Sequence, residues 1–71
     1  MTEAEYLILI GNNISKFRRQ KKLTSKELGY RCEIEKSNLI AIEKGRVNVT
    51  VQTLLKISLA LDVDVKVFFE F

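Results

Sequence analysis

Residues 23–46 read LTSKELGYRCEIEKSNLIAIEKGR, and two short helices joined by a tight turn are written into this stretch. Thr24-Ser25-Lys26-Glu27 is a capping box: the Thr hydroxyl and the Glu carboxylate can each satisfy a backbone N–H group that the first helical turn leaves free. Leu23 before the cap and Leu28 five residues later form a hydrophobic staple that fixes how the chain enters the helix. The same spacing returns as Ile34 with Leu39, across a second helix start at Glu35. Glu35 is a poor cap residue, although its charge suits the positive end of a helix. Gly45 stands where glycine relieves the left-handed turn that ends a helix. The spacing therefore predicts a helix from Ser25 to about Arg31, a turn over 32–34, and a helix from Lys36 to Lys44.

Working outward, Thr2-x-x-Glu5 is another capping box, followed by the stripe Leu7, Ile10, Ile14 and Phe17 at helical spacing. Gly11 sits inside that stripe and costs about 1 kcal/mol of helix propensity relative to Ala, which points to a close approach by another helix. Downstream, Val49 with Leu54 and Val63 with Phe68 repeat the staple, capped by Thr50 and Asp64. A helix from Thr50 to about Leu61 buries Leu54, Leu55, Ile57 and Leu61 and exposes Gln52 and Lys56. A short turn from Val65 to Phe69 ends the pattern. Val63 to Val67 also alternates and can be read as a strand, but five helices account for more of the caps. The expectation is a compact all-α domain of five helices over residues 1–71.

A chain of 71 residues has no room for a second core. It is 46% hydrophobic and 30% charged, with three Gly and no Pro, which argues against disorder and loop-rich scaffolds. Cys32 is the single cysteine and histidine is absent. Those counts exclude an intramolecular disulfide, a Cys/His zinc site and His-based catalysis, and they suit a reducing, cytoplasmic setting. No metal or other cofactor is expected. The longest apolar run, Tyr6 to Ile10, falls far short of the roughly 20 residues of a membrane span. Glu27, Glu33, Glu35 and Glu43 have structural explanations and no nucleophile has a base, so an enzyme is not expected. Charge is unevenly spread: residues 11–50 carry ten Lys/Arg against four Asp/Glu, and the remainder two against five, within a net charge of +3. A basic middle between acidic ends is suited to meeting a polyanion.

Arg18, Thr24-x-x-x-Leu28, Ile34, Leu39, Ile42-Glu43-Lys44-Gly45-Arg46 and Leu54 together resemble the small helix-turn-helix transcription regulators related to lambdoid phage repressors and Cro (the XRE family). The resemblance covers nearly the whole chain. The ending, Leu61 to Phe69 with Phe68-Phe69-Glu70, is similar to the controller proteins of restriction-modification systems. The resemblance implies a helix-turn-helix at about 24–44 that binds double-stranded DNA as a homodimer on an inverted-repeat operator, with helix 36–44 in the major groove. If Leu39 and Ile42 bury that helix, its other side presents Lys36, Ser37, Ile40, Ala41 and Lys44. Lys36 can donate to guanine, Ser37 can bond to several base edges, and Ile40 or Ala41 can cover a thymine methyl. The base-contacting set is therefore Lys36, Ser37, Ile40 and Ala41.

Phosphate contacts are expected from Thr24 and Ser25 at a helix N-terminus, from Lys44, Arg46 and Asn48 beyond the other end of the reading helix, and from Arg19 and Lys22. The family usually has Gln where this chain has Ser25, and Gly where it has Glu33. The resemblance also implies a structural ion pair between Arg18 and Glu43, each of which interrupts an apolar stripe. Cys32 is expected in the core and Tyr30 partly buried. Val65, Phe68, Phe69 and Phe71 form the expected dimer interface, because a terminal turn cannot bury that much apolar surface internally. No small-molecule effector is evident. The competing reading is a protein-interaction module of the same fold, such as an antitoxin or antirepressor.

Overall fold

The computed structural model describes residues 1–71 and contains four α-helices followed by one 3-10 turn. They are α1 (Glu3–Gln20), α2 (Ser25–Cys32), α3 (Lys36–Glu43) and α4 (Val51–Leu61), with the 3-10 turn at Val65–Phe69. The fifth expected helix is thus a single tight turn. Asp64 caps it by accepting from the Lys66 N–H at 3.0 Å, and five residues are too few to sustain α-helical bonding. No strand forms at Val63 to Val67; Val63, Val65 and Val67 pack against the core instead.

Each helix start follows from its cap. The Glu5 N–H donates to the Thr2 hydroxyl at 3.1 Å and the Thr2 N–H to the Glu5 carboxylate at 2.9 Å. The same reciprocal pair joins Thr24 and Glu27, at 3.0 Å in both directions. Thr50 accepts from the Thr53 N–H at 3.1 Å, whereas Glu35 makes no side-chain cap bond at α3. α3 starts instead on packing: Leu39 is buried and Ile34, its staple partner, lies against the core. Gly45 ends α3 with φ +70°, the left-handed turn a Cβ would strain.

The core is built by Ile10 and Ile14 of α1, Leu28 and Cys32 of α2, Leu39 and Ile42 of α3, Leu54, Ile57 and Leu61 of α4, Leu23 and Phe68. Gly11 lets α1 and α3 touch: a methyl group there would collide with the carbonyl oxygens of Ile42 and Glu43. This close approach outweighs the propensity that glycine sacrifices, since overpacking costs about 1–3 kcal/mol.

Three expectations about burial are corrected. Phe68 is fully buried and packs its ring beside Phe17, with centroids 6.4 Å apart; it is the staple partner of Val63 and cannot belong to a dimer interface. Leu55 is 44% exposed, because residues 54, 57, 58 and 61 already fill the inward face of α4 and Leu55 falls outside that arc. Tyr30 is 87% exposed: α2 turns Leu28, Gly29 and Cys32 inward and leaves Tyr30 on the opposite side.

Candidate nucleic-acid interface

α3 is held from below by three inward residues, Leu39, Ile42 and Glu43. Its outward side carries Lys36, Ser37, Asn38 and Lys44, all exposed, and Ile40 and Ala41, both half-buried. The expected base-reading residues thus lie together on one open surface. Ile40 and Ala41 form its floor, with the cations at its two ends. Asn38 was not singled out by the sequence, since it follows no apolar spacing and carries no charge. Its exposure on α3 adds an amide whose donor and acceptor match adenine.

Glu43 is buried without being wasted. Arg18 on α1 donates through Nε to Glu43 Oε2 at 2.8 Å and through Nη2 to Oε1 at 3.0 Å. Its third nitrogen, Nη1, donates to the Leu23 carbonyl at 2.9 Å. One guanidinium therefore ties α1, the turn before α2 and the end of α3 together. The side chains are only 13% and 8% exposed, so the bidentate geometry is what makes the buried charges tolerable.

Beside this pair opens a polar groove of about 590 Å³. α1 lines it with Asn12, Ser15, Arg18 and Arg19, α2 with the N-terminal Ser25, and α3 with Ile40, Glu43 and Lys44, while Arg46 closes the far end. Four of the expected phosphate contacts, Arg19, Ser25, Lys44 and Arg46, are brought to one place. The remaining ones are not part of this groove. Thr24 spends its hydroxyl oxygen on the Glu27 N–H, Lys22 sits exposed in the turn after α1 with φ 58°, and Asn48 borders a separate depression with Glu3, Tyr6 and Leu7. Asn12 and Ser15 were missed by sequence reading. Their signal was present: 12, 15 and 19 recur at the three- and four-residue spacing that aligns side chains along one face of α1.

The electrostatics have one sign. Arg19, Lys44 and Arg46 have no carboxylate within ion-pair distance, since Arg18 with Glu43 is the salt bridge of this structure. Free cations around a groove at a helix N-terminus can hold phosphate oxygens, and an uncharged floor beside them can meet base edges. The acidic groups nearby are committed elsewhere; the Thr24 backbone N–H and then its hydroxyl hold the Glu27 carboxyl below its ordinary value. Cys32 takes no part. Its thiol donates to the Leu28 carbonyl at 2.8 Å, and burial pushes its pKa up.

The sequence profile of the helix-turn-helix family matches residues 14–68, which contain both short helices and every groove residue but Asn12. The chain belongs to the helix-turn-helix family. A helix-turn-helix relative of Sinorhizobium fredii, the transcriptional regulator y4dJ, is 40% identical over 55 residues, covering 78% of this chain and 71% of the relative. Among solved structures, the restriction-modification controller protein C.AhdI of Aeromonas hydrophila superposes with a TM-score of 0.86 at 27% identity, over 89% of this chain and 96% of that one. A second restriction-modification controller protein, C.Esp1396I, superposes with a TM-score of 0.82 at 30% identity, over 90% of this chain and 83% of its own. In this helix-turn-helix chain the Arg18–Glu43 pair braces the end of α3 against α1.

Proposed function

We propose that this chain is a sequence-specific, double-stranded-DNA-binding transcription regulator that inserts α3 into the major groove and binds an inverted-repeat operator as a homodimer. The observation that carries the reading is the division of labour around α3: exposed Lys36, Ser37 and Asn38 beside half-buried Ile40 and Ala41, flanked by the free cations Arg19, Lys44 and Arg46. Lys36, Ser37, Ile40 and Ala41 read base edges; Arg19, Ser25, Lys44 and Arg46 hold phosphates, with Lys22, Thr24 and Asn48 at the margin. One eight-residue helix reaches few bases, so a second copy on a two-fold axis supplies the rest of the site. The likeness to two controller proteins supports regulation of a restriction-modification system as the setting.

Two single substitutions test the assignment by titration against matched and random duplexes at several salt concentrations. Lys36→Ala relaxes preference at one base position per half-site, at about 1–3 kcal/mol, and leaves random-duplex binding in place. Arg46→Ala weakens all duplexes alike and lowers the salt slope by about one per half-site, because a phosphate contact releases a counterion and reads no base. If Arg46→Ala changes base preference while Lys36→Ala weakens every duplex equally, α3 is not the reading helix.

A further inference from the structure

Three polar or charged side chains are buried in this fold, Glu43, Ser58 and Ser15, and a polar group taken from water needs a partner. Glu43 has Arg18. Ser58 donates to the Leu55 carbonyl at 2.8 Å. Ser15 is 7% exposed, and its hydroxyl makes no hydrogen bond within the protein. No fully enclosed polar side-chain atom lacks a partner, so the Ser15 oxygen opens onto the groove that its residue lines between α1 and α3. A donor is set there with nothing in the protein to receive it.

Its neighbours suit one kind of guest. Asn12, three residues earlier on α1, is exposed with a free amide, and α2 begins at Ser25, so that helix meets the groove by its positive end. Arg19, Lys44 and Arg46 add unpaired positive charge, while the Glu43 carboxylate in the wall is neutralised by Arg18. Hydroxyl, amide, helix end and cations all favour an oxyanion.

The arrangement also separates two kinds of phosphate. A phosphodiester in a duplex carries a single charge between two sugars, and exposed Arg19, Lys44 and Arg46 meet it at the rim. A terminal phosphate carries a charge of about −1.5 to −2 and three strong acceptor oxygens, so it can enter end-on and reach Ser15. At about 590 Å³ the groove falls within the roughly 300–1,000 Å³ of small-molecule sites, with room for the group that bears the phosphate. Its lining, polar but for Ile40, suits a charged guest. We infer that the groove binds a soluble anion with a terminal phosphate or pyrophosphate group, held by Ser15 and Asn12, and that this anion competes with duplex DNA for Arg19, Lys44 and Arg46. The competition rests on the DNA-binding reading; the binding of the anion does not.

Calorimetric titration of the full chain with pyrophosphate, beside dimethyl phosphate as the diester and at matched ionic strength, tests this. Pyrophosphate binds saturably at one site per chain, and dimethyl phosphate binds about tenfold more weakly, for want of the hydrogen bond to Ser15. Ser15→Ala leaves no buried group unpaired, so it keeps the wild-type Tm and weakens pyrophosphate binding about tenfold. Asn12→Ala, at an exposed position, weakens it in the same direction. In a second arm, pyrophosphate displaces a random-sequence duplex from the wild type, whereas Ser15→Ala binds that duplex as the wild type does and resists displacement. Absence of saturable pyrophosphate binding overturns the inference, as do equal affinity for dimethyl phosphate and unchanged pyrophosphate affinity in both variants. A Ser15→Ala protein that loses duplex and pyrophosphate binding alike overturns it too, by making Ser15 part of the DNA interface. A wild type that binds pyrophosphate but no duplex defeats the DNA-binding reading, and the competition with it, and leaves the anion site standing.

Discussion

Glu33 holds φ 57° and ψ 42° in the turn between α2 and α3, a left-handed backbone that costs a non-glycine residue about 1–2 kcal/mol. Replacement by glycine removes that strain, while the looser unfolded chain takes back about 0.4–1 kcal/mol. The balance favours the variant. Glu33→Gly is expected to raise Tm, at about 4–8 °C per kcal/mol for a domain of this size, as followed by thermal unfolding; a lower Tm would show that the side chain contributes more than its backbone loses. The left-handed position was legible because the family places glycine there. Lys22 and Asp62 adopt the same conformation, at φ 58° and 56°, and nothing in their spacing announced it. Tyr30 departs from its expected partial burial for a related reason. An aromatic residue suggests burial, but the arc of α2 that faces inward was already filled by Leu28, Gly29 and Cys32.

Helix boundaries were the most legible feature, because capping is local chemistry. Thr2, Thr24, Thr50 and Asp64 all make their side-chain bonds, and each stands immediately before its helix or turn. Two of these caps make stability depend on pH. The cap-residue N–H and hydroxyl lower the carboxyl pKa of Glu5 and of Glu27 below 4.5. A group lowered on folding contributes stability that is complete above its unfolded pKa and lost as pH falls through the folded one. Stability measured by denaturant unfolding is therefore expected to drop as pH falls below about 4.5, the ordinary value of these carboxyls. Glu27→Gln, which can still accept from the Thr24 N–H but does not titrate, should show a shallower drop; an unchanged profile would remove the capping carboxylate as a cause.

Between elements, the Arg18–Glu43 pair is the contact on which α3's placement depends. Removing either partner leaves a buried charge without compensation, at about 3–5 kcal/mol. Arg18→Ala and Glu43→Ala are each expected to cost about 3 kcal/mol in denaturant unfolding, and the double variant much less than their sum, since the second substitution removes the charge the first left stranded. Additive losses would mean that the pair does not act as a unit. Its two members could be found in the sequence as charges interrupting apolar stripes. Leu55 shows the opposite case: an apolar residue in an apolar helix carries no mark of which side it faces, so its exposure appeared only with the fold.

At the scale of the whole molecule, the basic middle of the chain becomes a place. Arg19 is far in sequence from Lys44 and Arg46, yet α1 and α3 crossing at Gly11 bring the three around one groove. Composition could announce the sign of that surface but not its shape, and the contributions of Asn12 and Ser15 required the crossing to be seen. The C-terminal turn was the least legible part. Aromatic residues at a terminus resemble an interface, whereas here Phe68 completes the core and Phe71 returns to Tyr6.

On the proposed reading, two α3 helices on a two-fold axis read a defined sequence. Selection of bound sequences from a pool of random duplex DNA tests it most directly. The expected product is an enriched inverted repeat, with half-site centres about 34 Å apart or a multiple of one helical turn, so that both helices enter major grooves on one face. A bound pool with the base composition of the input at every position, or an enriched site without two-fold symmetry, would contradict it.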